Sequence, residues 1–185
     1  LTYDNACKYL AESYPKDIIR WLLNIETNDI SVLKTELSLE PIRADSLTLL
    51  RTVGKILHLE FQTSPYSTPA IPLRMLDYYV RLKKQHECQI EQVVIFLQST
   101  TSQAVFINQY TDTNTNHSYR VLRLWEQNPT LLLENPALLP FATLAQSESP
   151  IELLAEVAER IARIEEPPRK SKPLRLRSGA CWVEI

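Results

Sequence analysis

Glycine is nearly absent. Two glycines, Gly54 and Gly179, stand in 185 residues, which excludes the glycine-rich loops that cradle phosphates in mononucleotide and dinucleotide sites. Cysteine is scarce too. Cys7, Cys88 and Cys181 are isolated and show no C-x-x-C spacing, which argues against a disulfide framework or a zinc site and fits a reducing cytoplasm. No apolar run approaches the length of a membrane span, and no signal-peptide pattern is present. The opening at Leu1 rather than Met points to a trimmed or unusual start. Neither charge sign dominates: 20 Lys and Arg stand against 22 Asp and Glu, a net charge of −2. Nothing therefore pulls the whole chain toward nucleic acid, and any such binding has to gather basic residues into a local patch. The hydrophobic share of 44% and charged share of 23% are those of a soluble globular protein, one domain or one domain with an appendage.

What is present centres on Ile56-Leu57-His58-Leu59-Glu60-Phe61-Gln62. Apolar and polar residues alternate as in a β-strand. Leu57, Leu59 and Phe61 share one face; Ile56, His58, Glu60 and Gln62 share the other. A carboxylate, an amide and an imidazole on a strand otherwise built for burial need partners, water or a metal.

The remaining elements are arranged around that strand. Residues 3–12 read as a short helix, and Pro15 suits the first turn of a second that runs to about Leu23. Asp4 and Lys8, four residues apart, are either an ordinary surface pair or a polar face turned toward a site. Residues 32–39 and 43–51 alternate as two strands, the second with Asp45 near its start. Gly54 can supply a positive φ in a tight turn before the Glu60 strand. Pro69 and Pro72 open a helix over 70–85, with Leu73, Leu76 and Val80 as its apolar stripe and Arg74, Tyr78, Arg81, Lys83 and Lys84 on the other side. Residues 93–97 and 119–125 read as strands joined by a polar loop, 111–118. Residues 131–144 are Leu-rich and broken by prolines. Ser149-Pro150-Ile151-Glu152 reads as a capping box for a helix to about Glu165, with Leu154, Val157, Ile161 and Ile164 on one face. His86 and His117 read as surface residues, and Trp21, Trp125 and Trp182 as packing. After Glu166 the character changes, so residues 1–166 form the domain and 167–185 a basic tail carrying Arg169, Lys170, Lys172, Arg175 and Arg177.

The expected fold is α/β, a central mixed sheet flanked by helices in the order αβββαβ. A hairpin through Gly54 brings Asp45 and Glu60 onto neighbouring strands, which lie about 5 Å apart. Fourteen residues separate them, giving D-x(n)-E-x-Q. Two carboxylates and the Phe61 backbone carbonyl form a hard-oxygen set suited to Mg²⁺, with Mn²⁺ as the substitute. Such an ion polarises a phosphoryl oxygen and acidifies a bound water. Gln62 cannot serve as a base but can orient that water. Arg74, with its planar fork, suits phosphate oxygens.

The segment ILHLEFQTSPYSTPAIPLRMLDYYVRL resembles the core of the recombination-promoting nuclease / putative transposase family, within the PD-(D/E)XK nuclease superfamily. The match rests on the E-x-Q strand, the proline-bearing loop, and the Arg and Tyr of the next helix: Glu60, Gln62, Arg74 and Tyr78. LRLWEQNPTLLLENPALLPFATL is similar to the segment following the last strand. The resemblance implies a restriction-endonuclease-like core and Asp45 as the metal-binding aspartate. It also makes Asp4 and Lys8 the D-x-x-x-K of the first helix, with Asp4 as an additional acid. It implies a Mg²⁺-dependent DNA endonuclease with catalytic Asp45, Glu60 and Gln62, metal ligands Asp45, Glu60 and Phe61 (carbonyl), and DNA contacts from Lys8, Arg74, Tyr78 and Arg81. Gln62 stands where the superfamily usually has lysine, and Ala44 where proline usually precedes the aspartate. The resemblance stops at Pro168, which reads as a truncation or frameshift. The competing expectation is a catalytically inactive module that still binds DNA or a protein partner. In that case an apolar patch on the last helix offers a route to a homodimer.

Overall fold

The computed structural model describes residues 3–33 and 47–164. In chain order the elements are α1 (Tyr3–Ser13), α2 (Pro15–Leu23), β1 (Ser31–Val32), β2 (Leu47–Thr52), β3 (Lys55–Gln62), α3 (Ile71–Gln85), β4 (Gln89–Phe96), β5 (Gln109–Asp112), β6 (Thr115–Ser118), β7 (Arg120–Arg123), α4 (Thr130–Leu133), α5 (Leu139–Ala142) and α6 (Pro150–Ala162). Short 3₁₀ turns fill 103–106, 124–126 and 136–138. The main sheet has the order β1-β2-β3-β4-β7. β1–β2 and β2–β3 are antiparallel, while β3–β4 and β4–β7 are parallel. The sheet is therefore mixed, with helices on both faces, and the expected α/β class stands at that level. No described helix is long and apolar enough to cross a membrane.

β3 is the middle strand and is buried on both faces: Ile56, Leu57, Leu59 and Phe61 are all at 0% exposure. The alternation read from sequence holds. Leu57, Leu59 and Phe61 join Leu50, Val93 and Ile95 in a core roofed by α1, α2, α5 and α6. Trp21 and Phe61 both stack on Phe141, with centroids 5.7 and 5.9 Å apart, so Trp21 is a packing residue. On the opposite face α3 lies over the sheet. There the apolar contacts fall into two groups, one around Ile71, Met75, Val94 and Phe96, the other around Leu47, Leu49, Ile56 and Tyr78. His58, Glu60, Gln62 and Gln92 are buried on this same face.

α3 presents a different side than expected. Its buried residues are Ile71, Met75, Tyr78 and Leu82, whereas Leu73 and Val80 are 43% and 40% exposed. The reason is chemical. The strand face that α3 covers is polar along its middle, so the covering side of the helix carries Arg74 and Tyr78 as well as apolar groups. α6 differs in the same way. It buries Leu153 and Val157 and leaves Leu154, Ile161 and Ile164 exposed. Its N-cap Ser149 makes no side-chain cap bond, so the expected capping box does not form. Residues 111–118, expected as a loop, fold into the β5–β6 hairpin. The strand expected at 119–125 ends at Arg123 and turns into a 3₁₀ segment. Of the strands expected at 32–39 and 43–51, the described parts are Ser31–Val32 and Leu47–Thr52.

The connection between β2 and β3 is the tight one expected. Thr52 pairs with Lys55, and Gly54 between them has φ +69°. The register fixed by this turn sets Leu49 opposite His58 and Leu47 opposite Glu60.

Candidate functional site

Glu60 is the centre of the polar row. It is 1% exposed, and a carboxylate removed from water needs charge partners and hydrogen bonds. Gln62, two residues on and therefore on the same face, donates Nε2–H to Glu60 Oε1 at 2.9 Å. Arg74 comes from the first turns of α3, and its Nη2 lies 2.8 Å from the same oxygen. That contact is a close ion pair without linear hydrogen-bond geometry, since Arg74 Nε and Nη2 are buried with no hydrogen-bond acceptor. His58 Nε2 lies 3.8 Å from Glu60 Oε2.

Asp4 approaches from the start of α1. Its carboxyl is held above the ordinary 3.8, first by burial and then by the charge of Glu60. Asp4 Oδ1 is buried and has no hydrogen-bond partner. Asp4 also helps burial to push the Cys7 thiol up to about 12, so Cys7 is an inert core group. Asp4 is therefore within the electrostatic reach of Glu60.

The other expected site residues are spread more widely. Tyr78, expected among the DNA contacts, is 2% exposed. It packs edge-on against His58, with ring centroids 5.1 Å apart. Burial pushes its hydroxyl up to about 12. It is a core residue because α3 turns that side onto the sheet, and it does not face solvent. Arg81 pairs with Asp77 at 2.9 Å, one turn back on α3. Lys8 lies 3.9 Å from Glu12 on the same helix. Phe61 belongs to the opposite core. Asp45 lies outside the described residues, as do Trp182 and the basic residues of 167–185. Among the described residues, no group of three or more His, Cys, Asp and Glu side chains is placed to hold a metal ion.

Two participants were not foreseen. Gln92 on β4 is 4% exposed and bonds to His58 Nδ1 at 2.8 Å. His117, expected at the surface, is half-buried and bonds to Gln92 Oε1 at 2.6 Å. Only the parallel register, which sets Gln92 beside His58, reveals the link. Gln92, next to Glu91 at the head of the apolar run Val93–Leu97, was the one available signal.

Comparison with protein-family models, with curated proteins and with solved structures finds no match for this chain.

Proposed function

We propose that this chain is a Mg²⁺-dependent DNA endonuclease with a restriction-endonuclease-like core, of the kind associated with mobile elements or recombination. One observation carries the reading. The carboxyl of Asp4 is held up first by burial and then by the charge of Glu60, and Asp4 Oδ1 has no hydrogen-bond partner. Like charges that act on each other in this way are relieved by a cation, and carboxylate oxygens match a hard divalent ion. Glu60, Asp45 and the Phe61 carbonyl would hold Mg²⁺, or Mn²⁺ in its place, with Asp4 as the additional acid. When bound, the ion supplies an acidified water and polarises the scissile phosphoryl group.

The chain's own groups divide the remaining work. Gln62 spends an N–H on Glu60, which leaves its amide oxygen to orient a water. Arg74 keeps Nε–H without an acceptor, a donor for a phosphate oxygen. Lys8, Arg81, Lys83 and Lys84 provide charge along the nucleic-acid backbone. Tyr78 is withdrawn from this role by its burial. The second reading, an inactive nuclease-fold module that binds DNA or a protein partner, is favoured by the Arg74–Glu60 contact, because a carboxylate already neutralised by arginine has less need of a metal. The expected homodimer rests on Ile151, Leu154, Ile161 and Ile164, all exposed on and just after α6.

Supercoiled-plasmid cleavage tests the proposal, run with Mg²⁺, with Mn²⁺ and with chelator, and with Glu60→Ala and Asp45→Ala beside the parent. Metal-dependent nicking that disappears in both variants is the expected result. Absence of nicking, or nicking that survives both substitutions, overturns the enzyme reading and leaves the binding module.

A further inference from the structure

The polar row continues past Glu60 through the protein to its surface, and its hydrogen bonds have one consistent direction. Gln92 Nε2 lies 2.9 Å from the Met75 carbonyl oxygen, which can only accept, so this end of the amide is the nitrogen. The same nitrogen lies 2.8 Å from His58 Nδ1. An amide nitrogen has only hydrogens to give, so Nδ1 accepts and the proton of neutral His58 sits on Nε2. The other end, Gln92 Oε1, takes the Nε2–H of His117 at 2.6 Å. Turning the amide over would set two oxygens against each other at Met75. Both histidines are thereby assigned one tautomer.

The proton placed on His58 Nε2 has no other destination. The side chain is at 0% exposure, and Nε2 has no hydrogen-bond partner. It lies 3.8 Å from Glu60 Oε2, beyond hydrogen-bond length but within about 1 Å of it. Tyr78, edge-on to the ring, restricts its tilt. At the far end His117 packs at a tilt against Tyr79 of α3, with centroids 4.7 Å apart. There it lines a surface hollow of about 240 Å³ with Tyr79, Gln92 and Tyr119.

We propose that His58 is a positioning residue for Glu60, held by Gln92 as the Nε2–H tautomer, and that His117 on the β5–β6 hairpin secures this lock from the surface. A neutral N–H donor beside Oε2 orients the carboxylate without cancelling its charge. This proposal rests on Glu60 being the site carboxylate. The hairpin then does more than cover α3, because its docking fixes the amide that fixes the histidine.

Imidazole ¹⁵N–¹H correlation spectra at a single pH test the lock without reference to activity. In the parent, His58 and His117 are both expected to carry the proton on Nε2, and Glu60→Gln is expected to move the His58 Nε2–H resonance while leaving that of His117 in place. Gln92→Glu keeps the shape and demands a donor, so the His58 proton should appear on Nδ1. If that variant does not fold, Gln92→Leu should give mixed His58 tautomers. His58 found as Nδ1–H in the parent, or unmoved by Glu60→Gln, overturns the proposal. The nicking assay supplies the second arm. Gln92→Glu or Gln92→Leu, at unchanged melting temperature, should lower kcat by roughly 10- to 100-fold, as losing the group that orients a site ligand does. Parent-like nicking by a variant whose tautomer has changed overturns the positioning role. A parent that never nicks defeats the enzyme reading separately, and the spectra still decide whether His58 and Glu60 are joined.

Discussion

Replacing Arg74 by methionine keeps the stem of the side chain and removes the charge that faces Glu60. The two side chains are 14% and 2% exposed, and the closest atoms are 2.8 Å apart. At an effective dielectric of about 20 the gross attraction at that separation is about 6 kcal/mol. Desolvation of both groups consumes much of it, so the pair itself adds little net stability. Losing one member is another matter, because a buried carboxylate then loses this close cation, and such losses run to about 3–5 kcal/mol. Gln62 still donates to the same oxygen, which places Arg74→Met near the lower end, about 3 kcal/mol. Glu60→Gln removes the carboxylate charge that demands the arginine. The double variant should therefore recover about 2 kcal/mol of the Arg74→Met loss, a coupling normal for touching groups. Urea unfolding reads both quantities. With a slope of roughly 2 kcal/mol per molar, Arg74→Met moves the midpoint down by about 1.5 M. An Arg74→Met midpoint within about 0.3 M of the parent, or strictly additive effects in the cycle, would refute the reasoning that this is a buried, mutually dependent pair.

Three further outcomes follow from the same structure. Asp4 holds its proton more tightly folded than unfolded, so its ionisation costs stability as pH rises from its unfolded value through its raised folded one. Asp4→Asn should therefore be more stable than the parent at pH 7, with the advantage fading below about pH 4, as paired urea titrations would show. Gly54 has φ +69° and nothing within 4 Å of an added Cβ. Gly54→Ala should cost only the left-handed backbone strain, about 1–2 kcal/mol in thermal unfolding, and a much larger loss would mean the space is not free. Lys84 is exposed on the last turn of α3. If it touches a phosphate, Lys84→Ala should reduce the slope of log K against log salt for duplex DNA by roughly 0.9.

The sequence made the sheet legible where side-chain chemistry and backbone geometry agreed. β3 could be read because its two faces differ, and the turn at Gly54 because only a residue without Cβ sits easily at that φ. α2 ran from Pro15 to Leu23 as its proline and apolar spacing required. Its stop at Asn24, in the left-handed region with N–H bonded to the Arg20 carbonyl, is a helix end of known type. Elements without apolar contrast were missed. The β5–β6 hairpin pairs QYTD with TNHS, polar apart from Tyr110, and such a hairpin shows no period until it is seen beside α3, where His117 meets Tyr79.

The site divides along the same line. Glu60 and Gln62 were legible because period-2 geometry alone puts them on one face; Arg74 was expected as a phosphate contact on the side away from the apolar stripe, and its turn onto Glu60 was not legible. The orientation of α3 was not legible. Leu73, Leu76 and Val80 offer one helical stripe, and Ile71, Met75, Tyr78 and Leu82 offer another. Hydrophobicity cannot choose between them, since both are apolar at helical spacing. What chooses is the surface underneath. A strand face bearing His58 and Glu60 needs a cation and an aromatic edge above it, and only the second stripe brings Arg74 and Tyr78 within reach. The helix is thus oriented by the polar row, and Tyr78, one of the four residues expected to contact DNA, is instead the buried wall edge-on to the histidine.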